Sequence, residues 1–183
     1  MPKRNVKRMC YAALLAAMYL PLSLYAAVQV GNVRISFGSL PVMAAALLFG
    51  PVDAVIVAMV GEFFKQLLTY GVTYTTVLYL IPPALRGLVV GLGALALLSL
   101  RGQRLEERRM LCYAVCIVAA VCTTLGNTLV NWLDSVLMGY YFPGLILGDF
   151  VWRLIVGMIN AVVMSSLAIP LVKALRQRNA VSL

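Results

Sequence analysis

Eleven of the 15 lysine and arginine residues fall in three short clusters, and each cluster flanks a long apolar run. The clusters are Lys3, Arg4, Lys7 and Arg8; Arg101, Arg104, Arg108 and Arg109; and Lys173, Arg176 and Arg178. A helix needs about 20 apolar residues to span a bilayer, and Lys and Arg concentrate in cytoplasmic loops. The clustering therefore marks a polytopic membrane protein. It does not mark a nucleic-acid patch, because no aromatic or glycine pattern accompanies the basic residues. With 63% hydrophobic and 11% charged residues, the chain also has too little polar surface to cover a soluble globule.

Charge decides the number of spans. Apolar runs at 9–30, 78–100, 110–138 and 149–174 each suit one crossing. The stretch between Ile35 and Thr69 is too long for one span and short for two, with the helix-breaking pair Gly50-Pro51 at its centre. One crossing there would put the 101–109 loop opposite the N-terminal cluster. Two crossings, at 36–49 and 52–69, put all three clusters on one side. The expectation is thus an all-α integral membrane fold: one domain over 1–183, a six-helix bundle with a short second helix and both termini cytoplasmic. The first run is longer than a signal-peptide core and is interrupted by Pro21, so it is expected to remain as a span.

Four cations fall outside the clusters: Arg34, Lys65, Arg86 and Arg153. This topology sets them in the outer half of the molecule. A charge within the bilayer costs a few kcal/mol or more, so it must be paired or functional. Glu62 and Lys65 can pair at i,i+3, and Asp149 and Arg153 at i,i+4. Arg86 follows Pro82-Pro83 and has no partner at helical spacing. It either meets Glu62 or Asp134 across helices or receives an anionic group, which a guanidinium can grip with two hydrogen bonds. Asn127, Asn131 and Asp134 share one helix face, which either bonds to neighbouring helices or lines a polar cavity. Tyr70, Tyr74, Tyr79, Tyr140, Tyr141 and Phe142 form either an interfacial belt or a stacking surface for a flat ligand. Ala12, Ala13, Ala16 and Ala17 form overlapping small-xxx-small pairs that allow a helix to approach closely, inside the bundle or from a partner.

Several chemistries lack their residues. There is no GxxxxGK[ST] loop for ATP, and no HExxH or GxSxG motif. The four cysteines include no CxxC pair and the chain has no histidine, so they read as buried small hydrophobes; no metal or cofactor is expected.

The runs Arg34-Ile-Ser-Phe-Gly-Ser-Leu-Pro41, Leu47-Leu-Phe-Gly-Pro51, Ala84-Leu-Arg-Gly-Leu88, Asn127-Thr…Asn131-Trp-Leu133 and Asn160-Ala-Val162, taken in order, resemble the S components of energy-coupling-factor (ECF) transporters, in their folate-type branch. The resemblance implies a substrate-binding membrane subunit of an ECF-type ABC importer in a prokaryotic plasma membrane. It would capture a vitamin-like micronutrient outside, with folate-like compounds the leading candidates. It further implies a transmembrane T component and two ATPases as partners. These would hydrolyse the ATP, so the chain itself is not expected to be an enzyme. The family's outer pocket carries over to Arg34, Phe37, Arg86, Asn131 and Trp132, and its docking motif to Ala12, Ala13, Ala16 and Ala17; the aromatic cluster and the unclustered cations add Tyr74 and Arg153 as candidate ligand contacts. The segment Tyr70–Pro83 departs from the Pro-Gly-Phe-Thr-like stretch of folate-type members, and other vitamins or a queuosine precursor stay open. Two different classes compete with this expectation: a small membrane enzyme acting on a lipid through Asp134, Asp149 and Arg153, and a ligand-free scaffold.

Overall fold

The computed structural model describes residues 6–30, 33–140, 142, 144, 148 and 150–177, with the backbone alone at 28–30 and 33–35. The described elements are α1 (Val6–Leu24), a hairpin of β1 (Ala27–Val30) and β2 (Val33–Ser36), α2 (Ser39–Phe49), α3 (Pro51–Tyr70), α4 (Ile81–Arg101), α5 (Arg109–Leu137) and α6 (Phe150–Gln177). Single 3₁₀ turns at Leu78–Leu80 and Leu105–Glu107 lead into α4 and α5. Three described segments, Leu78–Arg101, Arg109–Leu137 and Phe150–Gln177, are long and apolar enough to cross a membrane.

The first helix is shorter than the 9–30 run. It contains Pro21 and ends at Leu24, where the Tyr25 and Ala26 amides both turn back to the Pro21 carbonyl. Beyond that point β-branched residues alternate, which favours a pleated backbone over a helix. β1 and β2 pair antiparallel, with Ala27 opposite Ser36 and Gln29 opposite Arg34. This small hairpin is the one departure from an all-α fold among the described residues.

The helices neighbour one another in the order α1–α3–α4–α5–α6, and α2 packs against α1, α3, α4 and α6. α2 is apolar all round, and every residue of it except Leu40 is buried. A helix hydrophobic on all faces belongs inside a protein. Its 11 residues span only about 16 Å, roughly half the hydrocarbon thickness, so α2 is a core element rather than a lipid-facing span. It ends at Gly50, whose φ of 90° suits glycine, and Pro51 opens α3 at once.

The buried C-terminal carbonyls of α2 need partners. Arg8 from α1 donates to the Phe49 carbonyl and pairs with Asp53, its guanidinium lying 5.8 Å from the Phe49 ring centroid. Arg176 from α6 donates to the Leu47 carbonyl at 2.6 Å and pairs with Glu106 at 3.0 Å. Two positive side chains thus complete the negative end of the α2 dipole. They also bring Arg8, Arg176 and the 101–109 loop to one end of the bundle.

α4 approaches the α2–α3 turn through glycine. A Cβ on Gly91 would lie 2.4 Å from Pro51 Cα. Gly91→Ala therefore forces two backbones apart, and thermal unfolding in detergent should show a loss of about 1–3 kcal/mol.

Candidate functional site

A cavity of about 720 Å³ opens between α1, α3, α4, α5, α6 and the 70–79 segment. That size falls in the usual range for small-molecule sites. Its wall is unusually polar for a bundle of this composition. α5 contributes Thr123, Thr124, Asn127, Asn131 and Asp134. α3 contributes Glu62, Lys65, Gln66 and Tyr70, and α6 contributes Arg153, Gly157 and Asn160. Tyr19 comes from α1, and Arg86 from the first turns of α4.

The charges on this wall are not equivalent. Glu62 is buried and accepts four hydrogen bonds: from Tyr19 Oη at 2.6 Å, from Lys65 Nζ at 2.9 and 3.1 Å, and from Gln66 Nε2 at 2.9 Å. A carboxylate has about four acceptor sites, so Glu62 has none left for a ligand. It ties α1 to α3 and neutralises Lys65. Gly61 makes the α1–α3 contact possible, since a Cβ there would lie 2.5 Å from Tyr19 Cγ.

Asp134 sits at the other end of the wall. Its Oδ2 accepts from Tyr79 at 3.1 Å and from Tyr140. The hydrogen bond to the carboxylate holds the Tyr140 phenol above its ordinary pKa. Tyr79 also lies 3.3 Å from Asn131 Oδ1, which fixes the 70–80 segment onto α5. The Thr123, Thr124 and Thr128 hydroxyls donate to backbone carbonyls of α5 itself and are satisfied locally.

Arg86 differs from all of these. Among the described residues it makes no hydrogen bond and no ion pair, although it lines the cavity. Its side chain carries five N–H donors and borders a space large enough for a guest. The arrangement can therefore bind an acceptor-rich or anionic group. Among the described residues no three His, Cys, Asp or Glu side chains converge as metal ligands would.

Of the residues expected from the sequence, Arg86, Asn131 and Arg153 line the cavity together. Phe37 packs instead against the buried core around α2. Tyr74 is fully exposed, and Trp132 is 42% exposed on the outer side of α5; neither lines the cavity. Arg34 stands in β2, and its side chain lies outside the described residues, as does Asp149. The four alanines divide: Ala16 is buried and Ala12 packs on the core, whereas Ala13 and Ala17 are exposed. Tyr19 had not been singled out from the sequence. Its signal is the face it shares with Ala12, Ala16 and Ser23 at i,i+4 and i,i+3 spacing, which marks it as inward-pointing.

A family model described as "ECF-type riboflavin transporter, S component" matches residues 3–177. No curated protein matches. Among solved structures, the S component of a bacterial ECF transporter superposes with a TM-score of 0.67 at 19% identity, covering 94% of this chain and 99% of that one. FolT bound with folic acid superposes with a TM-score of 0.65 at 18% identity, covering 90% of this chain and 93% of that one. At such identities the two structures speak for the fold.

Tyr19→Phe removes one of four donors from a buried carboxylate. It should lower stability by about 1–3 kcal/mol in thermal unfolding, with the bundle otherwise intact.

Proposed function

Since the chain belongs to the family of ECF-type riboflavin transporter S components, we propose that its 720 Å³ cavity captures a flat-ringed vitamin bearing an anionic group, with a folate-like compound as the best fit. The family supplies the substrate-binding subunit of a transporter and is not an enzyme. The observation that carries the ligand reading is the unpaired Arg86 on the cavity wall. Glu62 and Lys65 cancel each other, and Asp134 is engaged by two phenols. Arg153, which also lines the cavity, has an interaction of its own, so Arg86 is the wall cation with no hydrogen bond or ion pair among the described residues, and a carboxylate satisfies it best. Asn127 and Asn131 along α5 add amide groups for the ring edges.

A riboflavin-like ligand is the second reading, favoured by the description of the matching family model. Riboflavin is flat but carries no charge, so it would meet Arg86 only through carbonyl or hydroxyl oxygens.

In operation the ligand enters from outside, and the whole small bundle then reorients against a T component. ATP hydrolysis by two partner subunits supplies the energy. The exposed Ala13 and Ala17 on α1 are the small residues free to meet that T component. Both termini and the 101–109 loop lie in the cytoplasm of a prokaryotic cell. The gathering of basic residues at the closed end of α2 supports this orientation.

Two measurements test the reading. Calorimetric titration of the purified protein should detect folic acid, and Arg86→Ala should weaken it about 10–100-fold. Riboflavin binding that survives Arg86→Ala would move the assignment to the second reading, and no response to any vitamin in a broad panel would end it. For orientation, a membrane-impermeant thiol reagent on intact Cys10→Ser cells should label Tyr74→Cys at once and Gln103→Cys only after lysis. The reverse pattern would invert the topology.

A further inference from the structure

Beneath Arg86, on the side toward α2, lies a second and much smaller cavity of about 10 Å³. It shares Arg86, Gly157 and Asn160 with the large cavity, so these three residues stand between the two. Besides Arg86 and Gly157, most of its lining is apolar or weakly polar, from Met43, Val90, Cys116, Ala119 and Ala161. Two polar atoms break that lining. Ser39 Oγ, on a residue only 5% exposed, and Asn160 Oδ1 are both buried without a hydrogen-bond partner among the described residues. A buried polar atom left unpaired costs roughly 1–3 kcal/mol, and native proteins seldom tolerate two in one place.

We propose that one fixed water occupies this small cavity, accepting an N–H from Arg86 and the O–H of Ser39 and donating to Asn160 Oδ1. The volume suits one water and excludes anything larger, since a single site needs about 10–15 Å³ and two to four polar partners. The stoichiometry also closes. The water's two lone pairs take an N–H from Arg86 and the O–H of Ser39, and one of its hydrogens goes to Asn160 Oδ1. Ser39 opens α2 and Asn160 lies midway along α6, so the water joins the buried helix, the last helix and α4 through one point.

Ser39 and Asn160 then act as positioning residues. The water uses one face of the Arg86 fork and leaves the rest directed into the large cavity. A long, flexible side chain without such a tie would lose rotamer freedom when a ligand arrived. The functional part of this inference rests on Arg86 meeting the ligand; the water site itself does not.

An experimental map of the ligand-free protein, at a resolution that shows ordered water, decides the site directly. It should contain a peak about 2.6–3.2 Å from Ser39 Oγ, Asn160 Oδ1 and a guanidinium nitrogen. No peak, or direct bonding of those oxygens to other protein groups, would overturn the proposal. Ser39 does not line the large cavity, so Ser39→Ala separates the two roles. With the water present, the substitution lowers the thermal midpoint by roughly 2–4 °C and weakens folic acid about fivefold. An unchanged or raised midpoint would mean that Ser39 had been unpaired after all and would overturn the water. A lowered midpoint with unaltered folic acid affinity would overturn the positioning role. If the wild type binds no folic acid, the ligand assignment fails, while the map and the midpoint still decide the water.

Discussion

A guanidinium inside an apolar bundle is stable only if something replaces its lost hydration, and Arg86 is the point where this protein meets that constraint. Lys65 is paired with Glu62, Arg8 with Asp53 and Arg176 with Glu106. Arg86 has no ion-pair contact among the described residues, with Glu62 acting on it only at longer range, and a cavity of about 720 Å³ lies beside it. The polar wall follows from the same constraint. Residues that would be costly against lipid, such as Asn127, Asn131 and Asp134 on α5, are grouped where the cavity admits water or a guest.

The cavity exists because the other end of the bundle is closed. α2 is too short to span and too apolar to face water, so it is enclosed by four helices, and its terminal carbonyls are taken by arginines from the first and last of them. Small residues at Gly61, Gly87 and Gly91 bring α1, α3 and α4 close to their neighbours. The result is a packed closed half and an open polar half. That division suits a subunit that must hold a ligand on one side of a membrane while presenting a solid body to the other.

Much of this was legible in the sequence, and the failures have physical causes. Spacing alone put Asn127, Asn131 and Asp134 on one face, paired Glu62 with Lys65, and turned the chain at Gly50-Pro51. Spacing says nothing about contacts between distant segments, so the Tyr19–Glu62 hydrogen bond could not be read, although the inward position of Tyr19 could. The 9–30 run looked like a single helix because valine is as apolar in a strand as in a span; only its alternation with polar residues hinted at the hairpin. Phe37 and Trp132 come from motifs and Tyr74 from an aromatic cluster; these fix order along the chain but not which way a turn or helix side chain points. An aromatic beside a cavity wall and one facing away from it look alike in a one-dimensional pattern.

Family membership makes the chain a transporter's substrate-binding component, and the open question is the chemistry of the guest. Native mass spectrometry puts the central claim to its most direct test. Wild-type and Arg86→Ala proteins would be purified gently after exposure to the same vitamin mixture. An unpaired guanidinium that anchors an anionic ligand predicts an added small-molecule mass on the wild type and its loss from Arg86→Ala. The same added mass on both proteins would contradict it.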